Sequence, residues 1–129
     1  MDVEQLKRDF EATLQQAMAL PGFSADDYLD ARDQPPFDEA WAQAAADVGD
    51  AGKRQPATSR AEQKAAVKDL REWVFKTVTE RTGQAELAAY VSDDAGLLRE
   101  AFIAGVSSAW IDSLRRCYAE HRLPQGDLC

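Results

Sequence analysis

Apolar residues recur at three- and four-residue steps along most of the chain, the spacing of one face of an α-helix. Val3, Leu6, Phe10, Leu14, Ala17 and Met18 trace the first stripe, with Asp2 at the N-cap position and Pro21-Gly22 ending the run. Ser24 and Asp27 then form a capping-box-like pair, and Phe23 and Tyr28 hold the two positions of a hydrophobic staple, so a short helix is expected over 25–33. Pro35-Pro36 break the chain because neither has an N–H to donate. Phe37, Trp41, Ala44, Ala45 and Val48 mark a third helix over 37–48 that stops at Gly49, and 50–58 (DAGKRQPAT) reads as a flexible loop.

Ser59-Arg60-Ala61-Glu62 is a full capping box, and the stripe Leu70, Trp73, Val74, Thr77 and Val78 carries the helix it opens to Gly83. A short helix is expected over 84–91, a new N-cap at Ser92-Asp93-Asp94, and a final helix over 95–122. That last helix is apolar on more than one face between Ala101 and Ile111, which places it centrally. Its Ala101, Gly105 and Ala109 form a small-residue ridge suited to close packing, and 123–129 is expected to fray.

Composition supports the helical reading. There are 23 alanines, whereas Val, Ile and Thr together number 14, too few to furnish a sheet. The expectation is an all-α fold: a single domain of 129 residues, a compact bundle of five to six helices with a long, largely buried C-terminal helix. The start of the chain has no basic leader followed by an apolar run, so a cytoplasmic protein is expected, with Cys117 and Cys129 as reduced thiols.

Charge changes this picture more than composition does. The net charge is −8, and residues 1–50 hold 12 acids against 3 bases while 51–129 hold 11 against 12. Within 23–50 stand eight acids (Asp26, Asp27, Asp30, Asp33, Asp38, Glu39, Asp47, Asp50) and one base, Arg32. Such a field repels nucleic acid and anionic membranes and draws in basic proteins. Asp26 and Asp27 suit the first turn of a helix, but Asp30 and Asp33 sit late in it, at like-charge spacings that cost roughly 0.2–0.5 kcal/mol each.

The catalytic motifs are weak. Asp26-Asp27-Tyr28-Leu29-Asp30 matches the DDxxD pattern with which terpenoid synthases hold magnesium and diphosphate, but the chain lacks a second such motif and the length of those bundles. An EF-hand loop would need a glycine and a glutamate that are missing. Gly105-Val106-Ser107-Ser108-Ala109 brushes against the G-x-S-x-G elbow without its sheet context. Cys117 and His121 share a helical spacing, yet the plainer reading has the thiol filling core space and the imidazole meeting the helix C-terminus. Trp73 and Trp110 read as core. The bases Lys64, Lys68, Arg71 and Arg81 alternate with Glu62, Asp69, Glu72 and Glu80, the pattern of a solvated face. No catalytic residue, cofactor or metal is expected.

The acids either keep the chain soluble and pair with Lys53, Arg54 and other bases folded nearby, or mark a non-enzymatic domain whose acidic face binds a basic protein, and the second is the expectation taken here. The expected partner-binding residues are Asp26, Asp27, Tyr28, Asp30, Asp33, Phe37, Asp38, Glu39 and Trp41, with Trp41 either an exposed anchor or part of the core. In size, charge and helicity the chain is similar to bacterial immunity proteins and antitoxins, a resemblance carried by no motif. It implies a toxin or effector acting in the cytoplasm as the partner. An acidic secretion chaperone, which would mix helices with a sheet, and a magnesium-diphosphate enzyme built on Asp26–Asp30 are the alternatives.

Overall fold

A computed structural model describes residues 2–128. Six α-helices and no strand are present among them: α1 (Val3–Thr13), α2 (Ala25–Arg32), α3 (Phe37–Lys53), α4 (Ala57–Thr82), α5 (Ala85–Ala104) and α6 (Ala109–Ala119). The all-α expectation therefore holds. Where the first stripe calls for one helix, α1 loosens into a π-helical turn, Leu14–Met18, whose wider spacing keeps Leu14 and Met18 both in the core. α5 packs against α2, α3, α4 and α6, and α1 lies across α4 and α6. Leu6, Phe10, Leu70, Val74, Val78, Leu87, Val91, Leu98, Leu114 and Tyr118 belong to one continuous cluster.

Several starts are set locally. Asp2 accepts from the Glu4 N–H at 2.9 Å and Ser24 from that of Asp27 at 3.2 Å, and the Phe23 and Tyr28 rings meet with centroids 6.0 Å apart. Pro35-Pro36, joined by a cis peptide bond, separates α2 from α3. Gly83 ends α4 in the left-handed conformation.

Other boundaries differ from expectation. α3 does not stop at Gly49 but runs to Lys53, because Val48 and Ala51 stay buried and Arg60 reaches back to the carbonyls of Lys53 (2.7 Å) and Gln55 (3.2 Å). The expected loop 50–58 is thus a three-residue turn. The capping box at Ser59 does not form either, since α4 starts at Ala57 and the Ser59 hydroxyl donates to the Pro56 carbonyl.

The largest difference lies near the C-terminus. α5 passes without a break through Ser92-Asp93-Asp94, because each of these side chains is engaged elsewhere. Ser92 bonds back to the Ala89 carbonyl, Asp93 turns out to Arg71, and Asp94 turns in to Arg32. The long, largely buried helix is therefore 85–104 rather than 95–122, and the break falls at Gly105, with φ of 71°. Ser108 then caps α6 by accepting from the Ile111 N–H at 3.1 Å. The small-residue ridge is interrupted at this turn, and close approach occurs instead at Gly96, where a Cβ would lie 2.6 Å from Arg71 Cδ. Residues 123–128, expected to fray, lie against the core: Pro124 is buried, and Leu123 and Leu128 pack on the main cluster.

Candidate functional site

α2 is short, and its two faces differ in kind. Tyr28, Leu29 and Arg32 point inward, so the helical period turns Asp26, Asp27, Asp30 and Asp33 outward, and all four are exposed. On α3, Phe37, Ala44, Val48 and Ala51 form the buried side, which leaves Glu39, Asp47 and Asp50 exposed and Asp38 half-buried.

The one base of this stretch is not on the surface. Arg32, 5% exposed, reaches across to Asp94 on α5, which is fully buried. The pair is bidentate, with guanidinium nitrogens 2.7 and 2.8 Å from the two carboxylate oxygens. Trp41 Nε1 donates to the same carboxylate at 2.9 Å, and the Tyr118 hydroxyl donates to it as well. The rings of Phe37, Tyr90 and Tyr28 flank the guanidinium with centroids 4.7, 5.3 and 5.9 Å away. The Tyr28 hydroxyl continues the network by donating to the Pro124 carbonyl at 2.8 Å. One buried centre thus ties α2, α3, α5, α6 and the C-terminal segment together.

Burial by itself would depress the guanidinium, but Asp94 beside it outweighs that and raises Arg32 above its ordinary range. Burial, reinforced by Asp94, raises the phenols of Tyr28 and Tyr118, with Arg32 opposing at both. The fold therefore keeps both phenols neutral. Because their folded values lie above the unfolded one of about 10, the stability they contribute is whole below that pH and is lost as pH rises through the folded values. Denaturation midpoints are expected to be insensitive to these groups through the neutral range and to fall above about pH 10. Tyrosinate absorbance from Tyr28 and Tyr118 should appear together with unfolding, whereas the partly exposed Tyr90 can ionise before it, and titration of all three tyrosines in the folded protein would contradict this.

With Arg32 drawn inward, the outward carboxylates have no cation to balance them. Asp26, Asp27, Asp30, Asp33, Asp38, Glu39 and Asp47 form no ion pair among the described residues, and Asp50 meets Lys53 only at 4.0 Å. Asp33 accepts a hydrogen bond from Tyr90 at 2.9 Å, which gives its unfavourable place at the end of α2 a structural reason. Asp30 has no such reason.

Of the expected partner-binding residues, Asp26, Asp27, Asp30, Asp33 and Glu39 are exposed. Tyr28 and Phe37 are 4% and 1% exposed and serve as core, so the reading of them as contact residues is corrected. Trp41 is partly buried and bonded to Asp94, which makes it a strut beneath the face. Arg32 and Asp94 were missed; a single base among eight acids, four residues after Tyr28 and five before Phe37, was the available signal.

The weaker chemistries can be placed too. No three His, Cys, Asp or Glu side chains converge to hold a metal ion among the described residues. Cys117 is buried and free, with its thiol raised by burial, while Cys129 lies outside the described residues. His121 sits past the end of α6 with φ of 61° and turns to Gln16, 3.2 Å away, so its expected place in the last helical turn is corrected. Trp73 and Trp110 pack against the core, the latter against Phe37. No helix of the described residues is long and apolar enough to cross a membrane.

A small helical body that holds an anionic helix face, unpaired among the described residues, above a buried ion pair has the features of a binding scaffold. The chain belongs to the immunity protein PIM1 family, whose model matches residues 5–125. Comparison with curated proteins and with solved structures gives no match.

Proposed function

We propose that this chain is a non-enzymatic immunity protein that binds a toxin protein and neutralises it, and that the toxin presents a basic surface to the carboxylates of α2 and the start of α3. The family supports the immunity role. The observation that carries the choice of face is the inward turn of Arg32 onto Asp94. It removes the only base of residues 23–50 from the surface and leaves Asp26, Asp27, Asp30, Asp33 and Glu39 exposed. Charges within about 8 Å of one another reinforce at physiological salt, so the face acts on a cationic partner as a sum. The secretion-chaperone reading calls for a sheet, and no strand occurs among the described residues.

The test is protection. A protein captured by this chain from its native host is expressed alone and then together with the chain. The expected result is growth arrest in the first case and growth in the second, with a stable complex isolated from the second. Arrest that persists despite the complex, or protection without any complex, contradicts the proposal.

A further inference from the structure

A groove of about 860 Å3 runs between α3, α4 and α5, separate from the carboxylate face. Val48 and Val67, both buried, form part of its floor together with Ile103, Ala104 and Phe75, and Phe75 is 39% exposed. Its rim is basic: Lys53, Arg60, Lys64, Lys68, Arg71 and Lys76 line it, against the acids Glu72 and Glu100. In sequence the bases of α4 alternate with acids. Spacings of three and four nevertheless put Arg60, Lys64, Lys68 and Arg71 on one side of the helix, with Glu62, Asp69 and Glu80 on the other. Lys64 and Lys76 form no ion pair among the described residues, Arg60 is engaged with backbone carbonyls rather than with an acid, and Lys53, Lys68 and Arg71 pair with Asp50, Glu72 and Asp93 at 4.0, 3.7 and 2.6 Å.

Two glycines of α3, Gly49 and Gly52, also line this groove. A Cβ on either would meet nothing within 4 Å, so packing within the chain does not require glycine there, although glycine weakens a helix relative to alanine. What the pair does is keep one wall low.

We propose that this groove docks an amphipathic helix of a partner protein, its apolar stripe laid on Val67, Phe75 and Ile103 and flanked by Asp and Glu that meet the basic rim. The trough follows α4 from Arg60 to Phe75, about 22 Å at 1.5 Å per residue, which suits four turns of helix. A single-headed amphiphile would engage one cation, whereas carboxylates spaced along a helix reach the unpaired Lys64 and Lys76 and the exposed Lys68 between them. A second copy of this chain offers no such helix in α2, whose apolar side is buried. The site is independent of the carboxylate face and does not rest on the function proposed for it.

The probe is a labelled synthetic helix with leucines along one face and glutamates flanking them, compared with its lysine-flanked counterpart and with dodecanoate. The glutamate helix is expected to bind at least about tenfold more tightly than the lysine helix, with affinity falling as salt rises. Gly49→Leu with Gly52→Leu fills the trough and should cost at least about tenfold in affinity while leaving the melting temperature unchanged or higher. Lys64→Glu with Lys68→Glu leaves four bases against four acids on the rim and should abolish the preference between the two helices, which keeps the test decisive if the glycine variant misfolds. Equal binding of the two helices by the wild-type chain, wild-type affinity in the filled variant, or dodecanoate binding abolished by the same substitutions would overturn the proposal. A dimer of this chain that the filled variant loses would overturn it as well.

Discussion

Arg32→Met is expected to destabilise the protein by about 3–5 kcal/mol, because it strands the Asp94 carboxylate, fully buried, without its counter-charge. Against a total stability of about 5–15 kcal/mol this is enough to unfold a marginal protein. Asp94→Asn should cost a comparable amount by stranding Arg32. The double variant should be less damaged than the sum of the two by about 2 kcal/mol, since the asparagine is neutral and its oxygen still accepts from Trp41 Nε1. Chemical denaturation of the four proteins closes the cycle. Additive losses would mean that the two residues act separately, contrary to their bidentate geometry. The effect extends beyond stability, because α2 is held through Arg32 and Tyr28, and without them the helix that displays the carboxylates loses its seat.

Reversing Asp27, Asp30 and Glu39 to lysine should slow association with the captured partner by at least about tenfold, flatten its dependence on salt and remove protection in the growth test. All three are exposed and none forms an ion pair among the described residues, so the fold should survive. Asp33 is spared because its carboxylate accepts from Tyr90. Asp30→Lys alone carries a sharper consequence. It relieves like-charge spacings with Asp26 and Asp33 and should raise stability by roughly 0.2–0.5 kcal/mol per relieved pair while weakening binding. Circular dichroism and melting separate the two effects: loss of helix in the triple variant would make slower association uninformative about charge, and Asp30→Lys then decides alone.

The structure was legible in the sequence wherever the signal is local. Ser24 before Asp27, Pro35-Pro36 and Gly83 act through their own backbone, and the caps and breaks they announce are present. Ser92-Asp93-Asp94 misleads because the same residue types cap helices and pair buried charges. What decides between these roles is Arg32, 62 positions away. Local signals favour a break there over Gly105-Ser108, whose glycine also reads as part of a packing ridge. The outward carboxylates were legible from their spacing, but their lack of counter-ions was not, since Arg32 counts as a neighbouring base until its side chain is placed. The groove was hidden for a related reason. The alternation of charges along α4 resembles a solvated face, and only the packing of α3 and α5 turns one side of that helix into a rim.

The central claim is that uncompensated charge on α2 and the start of α3 recruits the partner. Its most direct measurement is the association rate of the wild-type chain with its captured protein partner, followed from well below to well above physiological ionic strength. A steep fall with salt, largely absent in the Asp27, Asp30 and Glu39 reversal, is the predicted result. A rate indifferent to salt, or equal in the two proteins, would contradict the account.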